Sequence, residues 1–174
     1  VYVSSTANAS SNNVVEVDGG TLTLVSALSI GSSVGSWGNG LSVLNGGTVR
    51  LTGNGDSQTL KVGQPGFGNF VTVAGAGSSL DCRSTKVFVG GQTGSRDGTY
   101  DRNVMTIADG GAFSTANEVY VGRYGNDCRL FVTNGSTFVA GKLCMFTTGV
   151  FYAESSAVTV TNGITFADGG GVAT

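Results

Sequence analysis

Histidine is absent from this chain of 174 residues, and proline occurs once, at Pro65. Without histidine, neither a Ser-His-Asp triad nor a His-ligated zinc site can be built within the chain. Charged residues make up only 11% of the sequence, whereas about 25% is typical of a soluble domain. No apolar run approaches the roughly 20 residues of a membrane-spanning helix. We therefore expect no membrane insertion, and several classes of enzyme are excluded.

Clustered basic charge and paired cysteines are also missing. The net charge is −2, and the nine basic residues are scattered singly, so we expect no nucleic-acid partner. Cys82, Cys128 and Cys144 lie far apart without a C-x-x-C pair, which argues against a zinc knuckle or a redox motif. We expect no metal and no cofactor. Because the number of cysteines is odd, at least one thiol cannot pair within the chain.

Glycine is abundant, at 30 residues, and it recurs within a repeat. The first motif of the repeat has the form apolar-x-apolar-Gly. It occupies 28–31, 60–63, 87–90 and 119–122, with weaker copies at 143–145 and 1–3. Repetition of this kind is typical of proteins that stack one structural unit many times.

Two further motifs follow the first. An asparagine followed by alternating apolar residues occurs at 39–43, 69–73 and 103–107, with an earlier copy at 13–17 and later ones at 130–132 and 158–160. In the two later copies, Cys128 and Ser156 replace the asparagine. A Gly-rich motif occupies 18–22, 45–49, 109–113 and 134–138. The chain is thus about six copies of one unit, and 1–174 is predicted to be a single repeat domain.

Each unit contains three short strands separated by corners. Alternating apolar and polar residues indicate strands with one buried face, and Gly, Asn and Asp suit tight corners. The pattern predicts an all-β fold, a right-handed parallel β-helix (solenoid) of about six three-stranded coils. An antiparallel β-sandwich is the alternative, but it gives no reason for strands to repeat in triplets. The residues predicted to point inward are Leu28, Ile30, Leu60, Val62, Val87, Val89, Val119 and Val121.

Several segments resemble a known repeat. Residues 71–80, 87–91 and 104–113 are similar to the repeats of type V autotransporter passengers and of PEP-CTERM sorted proteins, and 28–49 resembles another copy. The resemblance implies a secreted or cell-surface β-solenoid of structural or adhesive kind. The cysteines, the longer corner at 91–102 and the aromatic residues depart from that pattern.

Two sets of equivalent positions are candidate binding surfaces. The first precedes the asparagine corner and consists of Trp37, Phe67, Tyr100 and Tyr124. These rings could bind glycans or a neighbouring rod, or they could stack on one another and cover the corner. The second set is the outward position of the first strand, where Phe88, Tyr120 and Cys144 fall on successive coils. We expect these three to form an exposed apolar patch that contacts another subunit, although singly exposed aromatic residues are common.

Two other features have ordinary structural interpretations. A column of Ser42, Thr72, Thr106, Phe131 and Thr159 on the second strand could suit ice binding, but threonine also fits any pleated surface. The longest corner, 93–102, carries Arg96, Asp97, Asp101 and Arg102. Paired carboxylates there could serve polysaccharide cleavage, but charges in a Gly-rich corner usually belong to a solvated loop.

These observations predict a non-catalytic extracellular structural protein, a self-assembling fibre or stalk subunit. Neither end shows a helix or a charged cap, so the chain is either a piece of a longer solenoid or a unit that stacks head to tail. Cys144 on its exposed column could cross-link neighbours. The alternative is a glycan-binding or adhesin segment of a longer autotransporter-like surface protein. A polysaccharide lyase or hydrolase is the third hypothesis, and we do not favour it.

Overall fold

A computed structural model describes residues 1–3, 10–53, 58–92, 100–167 and 172–173. These residues form eighteen strands and no helix. The strands are β1 (Tyr2–Val3), β2 (Val14–Asp18), β3 (Thr21–Leu24), β4 (Leu28–Ile30), β5 (Gly40–Leu44), β6 (Thr48–Leu51), β7 (Thr59–Val62), β8 (Phe70–Ala74), β9 (Ser79–Asp81), β10 (Lys86–Val89), β11 (Val104–Ala108), β12 (Ala112–Val121), β13 (Arg129–Thr133), β14 (Thr137–Phe146), β15 (Val150–Glu154), β16 (Ala157–Val160), β17 (Ile164–Ala167) and β18 (Val172–Ala173).

The strands form three rows, in which each strand lies beside the equivalent strand of the next repeat. The first row contains β1, β4, β7, β10, the second halves of β12 and β14, and β17. The second row is a seven-stranded sheet of β2, β5, β8, β11, β13, β15 and β18. The third row contains β3, β6, β9, the first halves of β12 and β14, and β16. The first and third rows form one eleven-stranded sheet because β12 and β14 run through both.

Every strand pairing in the described part of the chain is parallel. This confirms the predicted all-β class with parallel strands. It excludes the antiparallel sandwich, whose neighbouring strands would run in opposite directions. Parallel strands in two sheets are therefore the architecture that positions every candidate site.

Apolar residues at equivalent positions fill the space between the rows. Leu60 lies opposite both Leu28 and Val87 in the first row, and Val87 lies opposite Val119. All eight residues predicted to point inward are buried, and none is more than 2% exposed. Because the pairing is in register, like side chains stack into continuous columns along the core.

One part of the predicted repeat is wrong. Residues 158–160 were predicted to continue the asparagine-led motif, but β16 lies in the third row, with Val158 opposite Phe138. The second-row strand at this level is β15, in which Tyr152 lies opposite Phe131. Thr159 is therefore not part of the threonine column. Alternation of apolar residues reveals which side of a strand is buried. Because the alternation is the same in all three rows, it does not reveal which row a strand joins.

A ladder of buried asparagines joins the repeats at the start of the second row. The backbone N–H and the Nδ2 of Asn39 both donate to Oδ1 of Asn69, at 3.0 and 3.1 Å. Asn69 makes the same two bonds to Asn103, at 2.9 and 3.1 Å, and Asn13 makes them to Asn39, at 3.1 and 2.8 Å. Asn39, Asn69 and Asn103 are completely buried. The ladder thus satisfies polar groups that would otherwise be costly to bury.

The glycine of the first motif provides space for this ladder. Gly31 has φ +65°, and a Cβ there would lie 2.3 Å from Cγ of Asn69. Gly63 has φ +77°, and a Cβ there would lie 2.1 Å from Nδ2 of Asn103. Any larger residue would both strain the backbone and displace an asparagine. The first and second motifs are therefore coupled across neighbouring repeats.

We expect replacement of Asn69 by leucine to lower the free energy of unfolding by at least about 2 kcal/mol. The buried backbone N–H of Asn39 loses its acceptor, and the Nδ2 of Asn39 loses one of its acceptors. Urea unfolding followed by circular dichroism measures this. The matched control is Asn13→Leu at the exposed end of the ladder, where we expect a loss below about 1 kcal/mol. Equal losses in the two variants would contradict a stabilising role for the ladder.

Candidate functional site

The four corner aromatics do not form one exposed platform. Trp37 forms a parallel bridge with Phe67 and is 47% exposed, whereas Tyr100 is only 8% exposed. The Tyr100 ring packs on Gly91, where a Cβ would lie 2.5 Å from it, and its centroid is 6.4 Å from that of Tyr124. Tyr100 therefore covers the corner, as the second interpretation of these four residues proposed. Of the four rings, only that of Trp37 is open enough to bind a glycan or a neighbouring rod.

In the patch formed by Phe88, Tyr120 and Cys144, the predicted exposure is wrong for Phe88 and Cys144, whereas Tyr120 is half-buried. The three residues do lie opposite one another in the first row, as expected. However, Phe88 is 2% exposed and Cys144 is 6% exposed. The Phe88 and Tyr120 rings stack with centroids 4.7 Å apart and planes within 4°. Stacked in this way, each ring covers its neighbour.

Arg123 further covers these rings. Its guanidinium carbon lies 6.0 Å from the Phe88 centroid and 5.4 Å from that of Tyr120, distances typical of cation–π contacts. The Tyr120 hydroxyl donates to Glu118 at 2.5 Å, and Glu118 lies 3.6 Å from Nζ of Lys86. Burial, followed by the hydrogen bond to Glu118, raises the pKa of Tyr120. The polar groups and the aromatic rings of this cluster, which lies on the outer side of the first row, therefore already have partners within the chain.

The three cysteines are free thiols, and all are buried. Cys128 occupies the next position of the asparagine ladder, and its Sγ lies 3.3 Å from the Tyr100 carbonyl oxygen. Burial raises the pKa of Cys128 to about 12, and burial also raises the pKa of Cys82. Because Cys144 is buried as well, the folded chain does not present it to a neighbour, and the premise of the expected cross-link is wrong.

The charged corner predicted as the enzyme candidate is only partly described. Arg96 and Asp97 lie outside the described residues. The Asp101 carboxylate accepts hydrogen bonds from the Asn126 backbone N–H at 2.8 Å and from its Nδ2 at 3.3 Å. Asp101 therefore holds two repeats together at the corner. Among the residues that the structure describes, no group of three potential metal ligands occurs.

The described residues line several surface cavities, of which one lies beside the third row and another beside the second row. One, of about 470 Å³, is next to the third row, and there Asp81 lies 3.9 Å from Nε of Arg83 and 3.4 Å from Oγ of Ser114. The carboxylate of Asp81 in this cavity thus already has a cationic and a hydroxyl partner. The other, of about 280 Å³, is next to the second row and is lined by Arg102, Val104, Asp127, Arg129 and Phe131.

Sequence reasoning missed this second cavity. Arg102 belongs to the predicted charged corner and Phe131 to the predicted threonine column, whereas no predicted site includes Asp127 or Arg129. The available signal was the alignment of the asparagine-led motifs, which places Val104 opposite Arg129.

Comparison of the chain with protein-family models, with curated proteins and with solved structures found no match. Within the described ranges, no helix has the length and apolar character needed to cross a membrane.

We expect the native protein to resist thiol labelling at mildly alkaline pH, because all three cysteines are buried and the pKa of Cys128 is about 12. Alkylation followed by peptide mapping measures this. Unfolding in guanidinium should make all three thiols reactive, which is the positive control. Rapid modification of Cys144 in the native protein would contradict its burial.

Proposed function

We propose that this protein is a non-catalytic structural subunit, a right-handed parallel β-helix that assembles end to end into an extracellular or cell-surface fibre. The three rows are the three faces of the β-helix. The first three first-row strands each pair with the strand three elements later, β1 with β4, β4 with β7 and β7 with β10, after the chain has passed through the other two rows. Connections between parallel strands of one sheet are right-handed in about 98% of cases, which supports that hand.

The exposed apolar residues at both ends of the rows carry the assembly proposal. At one end, Val1 is 51% exposed and Val15 is 36% exposed. At the other end, Ile164 is 43% exposed and Phe166 is 53% exposed, although their first-row partners Leu143 and Met145 are completely buried. Some of the inward columns are therefore covered in the middle of the protein and open at its ends, whereas the columns that begin at Val3 and Val17 are buried at the first end.

A second copy of the chain fits these ends. Among the described residues, β1 pairs only with β4, and β17 pairs only with β14, so each has one open edge. Both strands belong to the first row and run in the same direction, so β17 of one copy can pair in parallel with β1 of the next. Such a contact is heterologous and does not close, and repetition of it gives a filament.

Four observations support a non-catalytic, extracellular role. The chain lacks histidine, and the Asp101 carboxylate is engaged by Asn126. The larger cavity contains an Asp–Arg pair whose members bind each other. The resemblance to autotransporter and PEP-CTERM repeats supports placement at the cell surface.

We expect the purified protein to form filaments that electron microscopy shows directly and whose light scattering rises with concentration. Phe166→Lys should abolish them, because a charge would be buried at the contact between copies. Thr165→Lys is the matched control, since Thr165 is the exposed outward residue next to Phe166 on β17. Circular dichroism verifies that both variants fold. A monomeric wild-type protein at high concentration would overturn the proposal.

We also expect no turnover of neutral or acidic polysaccharides, because the described residues contain no paired, unengaged carboxylates in either cavity. Reducing-end and absorbance assays for hydrolase and lyase products measure this. Asp101→Asn is the informative variant. Product formation that this substitution removes would contradict the non-catalytic role.

A further inference from the structure

The smaller cavity on the second row is built from two neighbouring repeats. Val104 lies opposite Arg129. Arg102 precedes Val104 by two positions, and Asp127 precedes Arg129 by two positions. Arg102 and Asp127 have left-handed φ angles of 56° and 53°, and the Arg102 N–H donates to the Asn126 carbonyl at 2.8 Å. The backbone on both sides of the cavity is therefore fixed by the same corner geometry.

The cavity combines charged groups with one aromatic ring. In the described part of the chain, no ion pair engages Arg102, Asp127 or Arg129. The Arg102 guanidinium lies 6.0 Å from the centroid of Phe67. Phe131 packs edge-on against Tyr152, with centroids 6.3 Å apart and planes at 67°. The ring is thus held in place, and the guanidinium of Arg129 and the carboxylate of Asp127 are exposed to solvent.

The balance of charges indicates the class of ligand. The cavity is lined by two guanidiniums, of Arg102 and Arg129, and by one carboxylate, of Asp127. A second carboxylate, of Asp101, lies next in sequence to Arg102, and these four side chains together carry no net charge. A polyanion requires a strongly positive surface. A sugar hydroxyl instead donates to a carboxylate and accepts from a guanidinium at the same time. Sugar rings also carry C–H faces that pack on an aromatic ring, and mixed apolar and polar walls are typical of ligand pockets.

We propose that this cavity binds a neutral hexose unit of an oligosaccharide or polysaccharide. Arg129 and Asp127 bind its hydroxyls, and Phe131 packs against the ring. At about 280 Å³ the site holds little more than one sugar unit, so its affinity is low. The proposal goes beyond end-to-end assembly and is independent of it, because Phe131 is in β13, two strands from the end of the second row.

Saturation-transfer difference NMR tests the proposal, because it observes the ligand and therefore works on monomers and filaments alike. The probes are cellohexaose, maltohexaose and laminarihexaose, with trigalacturonate as the acidic comparison. We expect saturation transfer to at least one neutral hexasaccharide, with a Kd that Arg129→Gln raises roughly tenfold. Phe131→Leu should weaken the transfer to the sugar ring protons. Arg50→Gln, at an exposed arginine of β6, is the matched control and should leave the Kd unchanged.

The outcomes separate clearly. Binding of a neutral hexasaccharide that Arg129→Gln weakens and Arg50→Gln does not supports the site. The proposal is overturned if no neutral probe binds, if Arg129→Gln and Arg50→Gln have equal effects, or if trigalacturonate binds more tightly than every neutral probe. Circular dichroism of each variant shows that a loss of binding is not a loss of fold. Filament formation is measured separately, so failure of assembly and failure of sugar binding are distinguishable.

Discussion

The buried asparagine ladder is the interaction on which the rest of the structure depends. Consecutive asparagines are separated by 26, 30 and 34 residues, yet their side-chain bonds all fall between 2.8 and 3.1 Å. The corner is therefore constant while the length of the repeat varies. Because each asparagine satisfies both donors of the preceding one, a shift of one residue would leave buried polar groups unpaired. The ladder consequently fixes the register in which β2, β5, β8 and β11 of the second row pair.

Register has consequences on the outside of the rows as well as in the core. Identical positions meet across strands, so Phe113 stacks on Phe138 inside, at 5.1 Å, just as Phe88 stacks on Tyr120 outside, at 4.7 Å. An outward aromatic residue is then covered by its own neighbour, and here also by Arg123. In a stack of repeats, outward orientation is thus a poor guide to exposure.

The ends and the sides of the rows offer different chemistry. At the ends, apolar columns and open strand edges favour another parallel strand, and this supports assembly with a second copy. On the side of the second row, Arg102, Asp127, Arg129 and Phe131 line a small cavity that combines basic, acidic and aromatic groups. A fibre built through its ends would repeat this side cavity once per subunit. Weak binding at each site would then be strengthened by multivalency along the fibre.

The sequence by itself determined the all-β class, the repeat, and the inward position of residues such as Leu60 and Val87, because period-two alternation and corner glycines are local signals. Only the tertiary structure decided which row a strand joins, as for β15 and β16, and whether Phe88 and Cys144 are exposed. It also decided that Arg102 and Arg129 share a cavity. The physical reason is that these outcomes depend on pairing between residues 20 to 34 positions apart. Short alternating segments have the same pattern in every row, so the pattern does not specify which distant strand each segment pairs with.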